Sequence, residues 1–305
     1  MHDRLATCLC VLVLLFSPLA AWSADTYSAN PLAPSLADDL LITIQDNHFA
    51  LTGIPSNAGL IQGGGITLSG EGTNPAAQFR IGSQSKTFTG TVILKMIDQG
   101  YFKLTDTLGA LQQKYGVDLG MAALPAGAES ITVKQLLNMS SRIPNYMAGT
   151  RTGSTSTLWD EWIAASYQAL TPTVTHAELA ALGLTAGYPQ IPNPPFQGSY
   201  SNTNAVILSL IGEAAYAAET GTTKTFAQIL DELVFTPAGL TGTYLAMDPS
   251  SAGIIPGSES GQTITDMDPT IPWTSGAVVS TLEDQLKWIE ILKTNILPGG
   301  GQLLS

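Results

Sequence analysis

Cysteine is scarce in this chain, since Cys8 and Cys10 are the only two. Both lie in residues 1–24, which have the pattern of a secretory signal peptide: an apolar run over 8–16 followed by small residues. That run is too short to span a bilayer comfortably, which disfavours the alternative of an uncleaved membrane anchor. We therefore expect a secreted or periplasmic protein whose mature chain has no cysteine. A disulfide, a zinc–thiolate site and a cysteine nucleophile are excluded there.

Histidine is almost as rare. After removal of the signal peptide, only His48 and His176 remain, far apart in the sequence. A catalytic zinc site needs two or three clustered histidines, and neither a His-x-His nor a His-Glu-x-x-His pattern occurs. We expect no bound metal and no cofactor.

Charged residues are also few, at 12% of the 305 residues, and their net charge is −12. A negative surface repels a phosphate backbone and an anionic membrane, so nucleic-acid binding is not expected. The hydrophobic content of 44% is enough for a large buried core.

The hydrophobic pattern predicts a mixed α/β (α+β) fold. Strand-like segments lie near both ends of the chain, and helical spacing dominates the middle. We expect one domain over residues 25–305, with a mainly helical subdomain at about 105–235. No internal repeat is present, and we expect a monomer.

The segment around Ser83 carries the first chemical signal. Ser83 opens a long predicted helix, and Lys86 follows at i+3, on the same helix face. A lysine there can hydrogen-bond the serine oxygen and, if partly desolvated, serve as a base. The helix N-terminus adds positive potential where an oxyanion would form. Alone, the Ser-x-x-Lys pattern also fits a capping serine followed by a solvated lysine.

A second segment, Gly198 to Asn204, follows a proline-rich stretch and precedes another predicted helix. Tyr200 supplies a phenol that can act as a general base near an ammonium, and Asn202 supplies an amide that can orient a substrate amide. The alternative is a polar turn in which Asn202 caps the helix.

Together these residues resemble a known family. Phe-Arg-Ile-Gly-Ser-x-x-Lys-x-Phe at 79–88 and Tyr-Ser-Asn at 200–202 are similar to two motifs of the serine acyl-enzyme hydrolases that include class C β-lactamases and D-alanyl-D-alanine carboxypeptidases. Two further stretches, 104–106 and 273–281, are also similar to that family. The likeness runs from about residue 35 to the end.

The resemblance implies a β-lactamase/transpeptidase-like fold, with an antiparallel sheet flanked by helices. It implies that Ser83 attacks a carbonyl, that Lys86 and Tyr200 handle the proton, and that Asn202 holds the substrate amide. Trp273 would line the pocket, or equally be a core aromatic. The substrate would be a peptidoglycan-type peptide, a β-lactam or a small ester.

The chain departs from the family pattern in two respects. No Lys-Thr-Gly, Lys-Ser-Gly or His-x-Gly motif occurs, which suggests that the last strands of the sheet are missing and the open reading frame is truncated. In addition, Met139 and Arg142 occupy positions where the family usually has His and Gly. Arginine fits poorly if the backbone there needs a positive φ.

Three functions remain open. The first is a secreted carboxypeptidase of D-alanyl-D-alanine type, and the second is a class C-type β-lactamase or an esterase of the same fold. The third is a penicillin- or peptidoglycan-binding module without turnover. A Ser-His-Asp hydrolase is disfavoured because the chain has no Gly-x-Ser-x-Gly motif.

Overall fold

The computed structural model describes residues 34–52, 57–62, 65–70, 74, 76–167, 174–186, 198–248, 253–259, 262–264 and 267–305. The signal peptide expected over residues 1–24 lies outside the described residues.

Helices make up about half of the described chain. Local signals fix many of their ends: Thr132, Thr175 and Thr225 each cap a helix through a capping box. The helices are α1 (Pro34–Thr52), α2 (Ser85–Asp98), α3 (Leu108–Tyr115), α4 (Val133–Leu137), α5 (Leu158–Tyr167), α6 (His176–Thr185), α7 (Thr203–Thr220), α8 (Phe226–Leu230), α9 (Trp273–Gly276) and α10 (Leu282–Thr294).

The strands are short and pair antiparallel. They are β1 (Asn57–Gln62), β2 (Gly65–Gly70), β3 (Phe79–Arg80), β4 (Tyr244–Leu245), β5 (Gly257–Glu259), β6 (Gln262–Ile264) and β7 (Val278–Ser280). Strands β1 and β2 form one hairpin and β5 and β6 another, while β7 lies between β3 and β4 in a three-stranded sheet. The expected mixed fold with an antiparallel sheet is confirmed.

The core is built around α2, which packs against α7. The inward face of α2 is apolar: Phe88, Val92, Ile93 and Met96 are fully buried, and Ile97 is partly buried against the same core. The Phe88 ring stacks on Trp288 of α10 at 4.5 Å between centroids. Because β3 leads directly into the start of α2, this packing fixes the position of Ser83.

All described elements between residues 108 and 235 are helical. Their buried side chains belong to the same hydrophobic cluster as those of α2 and α10. The division into a domain with a helical subdomain stays a prediction. None of the described helices is long and apolar enough to cross a membrane.

Candidate active site

Ser83 lies in a single 3₁₀ turn, Gly82–Gln84, between β3 and α2. Gly82 has a φ of 54°, in the left-handed region that glycine tolerates best. No atom lies within 4 Å of where a Cβ on Gly82 would stand, so glycine is favoured there for its backbone freedom. The Ser83 side chain is exposed. Its N–H is among the first in the helix, which have no acceptor within the helix and can bind an oxyanion.

Lys86 follows one turn later and connects three segments. Its Nζ lies 3.2 Å from Ser83 Oγ, 2.6 Å from the Tyr200 hydroxyl oxygen and 2.6 Å from the Ser275 carbonyl oxygen. Burial lowers the pKa of Lys86 from 10.5 to about 7, because a desolvated ammonium is unfavourable. A substantial fraction of this lysine is therefore a neutral amine at neutral pH, able to accept a proton.

Tyr200 completes a triangle with Ser83 and Lys86. Its hydroxyl lies 2.5 Å from Ser83 Oγ, and the Lys86 amine lies 4.8 Å from the centre of its ring. The side chain is 54% exposed, so a substrate can reach the phenol from solvent. The three polar groups are close enough for a proton to pass between them.

Asn202 occupies the N-cap position of α7, as the alternative reading of this segment predicted, but its side chain makes no capping hydrogen bond. Its amide oxygen instead accepts a hydrogen bond from the Tyr200 hydroxyl at 3.2 Å. Asn202 therefore lies beside the triangle of Ser83, Lys86 and Tyr200 with its side chain directed to Tyr200.

Trp273, the fifth predicted site residue, belongs to the buried hydrophobic core. It is 1% exposed and stacks on His176, with ring centroids 3.6 Å apart and planes at 7°. It also packs edge-to-face on Phe226. This burial favours the alternative of a core aromatic, and a role for Trp273 in lining the substrate pocket stays a prediction.

Sequence reasoning missed the Ser275 carbonyl and Tyr146. Ser275 lies in the stretch 273–281 that resembles the family, but a backbone carbonyl leaves no signature in the residue type. The Tyr146 hydroxyl donates to the Ile271 carbonyl at 2.5 Å, just before that stretch. Only the folded structure shows that the Ser275 carbonyl contacts Lys86 and that the Tyr146 hydroxyl lies beside Ser275.

The backbone at Arg142 does adopt the positive φ that arginine fits poorly. Met139 and Arg142 have φ values of 61° and 68°, in a region where non-glycine residues are strained. The Arg142 Nε is also buried without a hydrogen-bond partner. This loop therefore keeps a left-handed geometry without glycine, at a cost in stability.

Among the described residues, no group of three or more His, Cys, Asp or Glu side chains is placed to hold a metal ion. The arrangement can instead activate a serine by proton transfer alone. A hydroxyl, an amine and a phenol in mutual contact at a helix N-terminus are suited to acyl transfer.

Comparisons with known proteins agree with this geometry. Residues 56–305 match the family model described as Beta-lactamase. The chain is 25% identical over 290 residues to the D-alanyl-D-alanine-carboxypeptidase/endopeptidase AmpH of Escherichia coli strain K12, covering 91% of this chain and 68% of AmpH.

Two solved structures share its fold. A D-amino acid amidase from Ochrobactrum anthropi SV3 superposes with a TM-score of 0.63 at 21% identity, covering 84% of this chain and 69% of the amidase. The octameric penicillin-binding protein homologue from Pyrococcus abyssi superposes with a TM-score of 0.62 at 19% identity, covering 83% of this chain and 56% of that one. The β-lactamase/transpeptidase-like fold expected from the motifs is thereby confirmed.

Proposed function

Since the chain belongs to the Beta-lactamase family of serine hydrolases, we propose that it hydrolyses D-alanyl-D-alanine-type peptides through an acyl-enzyme on Ser83. One observation carries the proposal: Ser83 Oγ, Lys86 Nζ and the Tyr200 hydroxyl lie within 3.2 Å of one another, and burial lowers the pKa of Lys86 to about 7. A serine hydroxyl needs such a base to become a nucleophile at neutral pH.

The distances support a proton relay. Ser83 lies closer to Tyr200, at 2.5 Å, than to Lys86, at 3.2 Å. As Ser83 Oγ forms its bond to the substrate carbonyl carbon, its proton moves to the Tyr200 oxygen. The Tyr200 proton moves at the same time to the neutral Lys86 amine. Lys86 is thus the final acceptor of the proton.

Collapse of the tetrahedral intermediate breaks the C–N bond of the peptide. The departing D-alanine nitrogen takes the proton back from Lys86 through Tyr200, which leaves the acyl group on Ser83. The Ser83 N–H stabilises the oxyanion in both steps. A water molecule then attacks the acyl-enzyme and releases the product by the same relay in reverse.

Asn202 is assigned to the substrate. Its amide oxygen lies 3.2 Å from the Tyr200 hydroxyl oxygen, which places the amide next to the reacting atoms. The exposed phenol leaves the site open to solvent on the side from which a peptide would approach. The likeness to AmpH, a D-alanyl-D-alanine-carboxypeptidase/endopeptidase, supports a peptide substrate.

The test follows acylation and deacylation separately. The mature chain is incubated with a fluorescent penicillin, a D-alanyl-D-alanine tripeptide or a p-nitrophenyl ester, with Ser83→Ala as the control. A persistent penicillin adduct on Ser83 with release of D-alanine supports a carboxypeptidase. Rapid penicillin turnover identifies a β-lactamase, and hydrolysis of the ester alone identifies an esterase. An adduct without any turnover identifies a binding module.

The predicted signal peptide and the proposed substrate point to the same location, because peptidoglycan lies outside the cytoplasmic membrane. We propose a secreted or periplasmic location on that basis. Fractionation of cells expressing the full chain, with N-terminal sequencing of the product, tests it: cleavage near residue 24 is expected. Retention of the first 24 residues in a cytoplasmic product would contradict it.

A further inference from the structure

The Lys86 amine lies between two acceptors from distant parts of the chain, the Tyr200 hydroxyl and the Ser275 carbonyl, each 2.6 Å away. Lys86 can serve in the relay only while the Tyr200 hydroxyl and the Ser275 carbonyl both stay in place. The described residues show one segment that contacts both sides, residues 139–146, which we name the bracket loop.

On one side, the bracket loop holds the segment that carries Tyr200. The Ser199 N–H donates to the Met139 carbonyl at 2.9 Å. The Thr203 hydroxyl donates to the Pro144 carbonyl at 2.7 Å. These bonds flank Tyr200 in sequence, so the backbone on both sides of the phenol is fixed to the loop.

On the other side, the bracket loop reaches the turn that presents the Ser275 carbonyl. The Tyr146 hydroxyl donates to the Ile271 carbonyl at 2.5 Å and lies 3.2 Å from Ser275 Oγ. Between them, Trp273 has a φ of 35°, which is strained for a large side chain. A strained turn keeps its shape only when its surroundings hold it, and the Tyr146 hydroxyl is one such support.

Tyr146 is the residue common to both sides, because its backbone N–H donates to the Thr203 hydroxyl at 3.0 Å. It is fully buried. We propose that Tyr146 is a positioning residue that sets the separation of the two Lys86 acceptors and so tunes the proton relay. The proposal rests on the function proposed above.

Loss of the Tyr146 hydroxyl should change the pKa of Lys86, because of the groups that lie near its amine. The titratable groups placed by this amine are the Tyr200 phenol, in contact with it, and the Tyr146 phenol behind Ser275. Burial raises the pKa of Tyr146, so it remains a neutral donor. Without its hydroxyl the Ser275 carbonyl is held less firmly and the Lys86 ammonium loses part of its stabilisation. The pKa of Lys86 should then fall further, and the Ser83 geometry should loosen.

The experiment compares Tyr146→Phe with Tyr115→Phe. Tyr115 is a matched control, because its hydroxyl also donates to a backbone carbonyl, that of Tyr101, while its other partners, Lys114 and Glu219, are not part of the site. The first readout is the pH dependence of Lys86 acetylation by acetic anhydride, followed by peptide mass spectrometry. The second is the rate of Ser83 acylation by a fluorescent penicillin.

For Tyr146→Phe we expect the pH midpoint of Lys86 acetylation to fall by about half a pH unit, which is a threefold change in the ratio of amine to ammonium. Acylation of Ser83 should slow about tenfold, since small misplacements of reacting groups are costly. Tyr115→Phe should match the wild type in both readouts.

An unchanged Lys86 midpoint in folded Tyr146→Phe would overturn the proposal, whether or not acylation slows, because a merely structural hydroxyl would not move it. If Ser83 of the wild type is never acylated, the proposed function fails. The pH dependence of Lys86 acetylation still tests whether Tyr146 positions the two acceptors of Lys86. If circular dichroism shows that Tyr146→Phe does not fold, Ser275→Ala replaces it under the same criterion. That variant removes the contact with Tyr146, together with the hydrogen bond from Ser275 Oγ to the Pro272 carbonyl, and leaves the Ile271 carbonyl paired.

Discussion

The pH dependence of Ser83 acylation is the strongest quantitative consequence of this site. In the relay, only the neutral form of Lys86 can accept the proton from Tyr200. Burial lowers the pKa of this lysine from 10.5 to about 7. The rate of acylation should therefore rise with pH through a single ionisation near 7 and level off above it.

The magnitude can be worked from the two pKa values. With a pKa of about 7, about half of Lys86 is neutral at pH 7, and about a tenth at pH 6. A lysine at 10.5 is neutral in only about 3 molecules in 10,000 at pH 7. Burial thus raises the fraction of neutral Lys86 at neutral pH roughly a thousandfold. Below pH 6 the rate should fall about tenfold for each pH unit.

The assay is stopped-flow acylation by a fluorescent β-lactam from pH 5 to 9.5, with circular dichroism at each pH to confirm that the chain stays folded. Tyr115→Phe serves as a control far from the site. A flat profile between pH 5 and 9, or a rate that still rises in proportion to hydroxide above pH 9, would refute neutral Lys86 as the proton acceptor.

Three substitutions extend the account. Tyr200→Phe should slow acylation about 10²-fold or more because it removes the first proton acceptor, measured with the same β-lactam; a rate within twofold of wild type would contradict this. Lys86→Met should abolish acylation and raise the free energy of unfolding at pH 7 by a few kcal/mol. Between pH about 7 and 10.5 the lysine binds a proton in the unfolded chain but not in the folded one, so the free energy of unfolding of the wild type rises with pH over this range. Urea titrations should show that rise only in the wild type. Arg142→Gly should raise the free energy of unfolding by about 1 kcal/mol because it removes left-handed strain, whereas Arg142→Ala should not; equal effects in thermal melts would show that φ is not the cause.

The parts of the fold that the sequence predicts are those with local causes. The helix from Ser83 to Gln99 was expected from its apolar spacing, and the structure has a 3₁₀ turn followed by α2 there. Helix α2 ends at Asp98, and Gly100 follows with a φ of 82°, which glycine tolerates best. Strands of two or three residues, such as β3 and β4, have no periodicity to detect, so their pairing was visible only after folding.

The residues of the site also differ in how far the sequence predicts their positions. The proximity of Ser83 and Lys86 follows from an i+3 spacing on one turn, which any helix would provide. The approach of Tyr200, 114 residues from Lys86, was expected only through the resemblance to a family. Trp273 could not be assigned because an aromatic residue suits a pocket and a core equally, and its burial against His176 depends on α6. Backbone acceptors such as the Ser275 carbonyl carry no sequence signal.

The central claim is that Ser83 is a nucleophile activated within this chain. Peptide mass spectrometry of the mature protein after reaction with a fluorescent penicillin tests it most directly, with Ser83→Ala beside it. The account predicts one adduct, on the peptide that contains Ser83, and none in the variant. No adduct on a chain that circular dichroism shows to be folded, or an adduct on another residue, would contradict it.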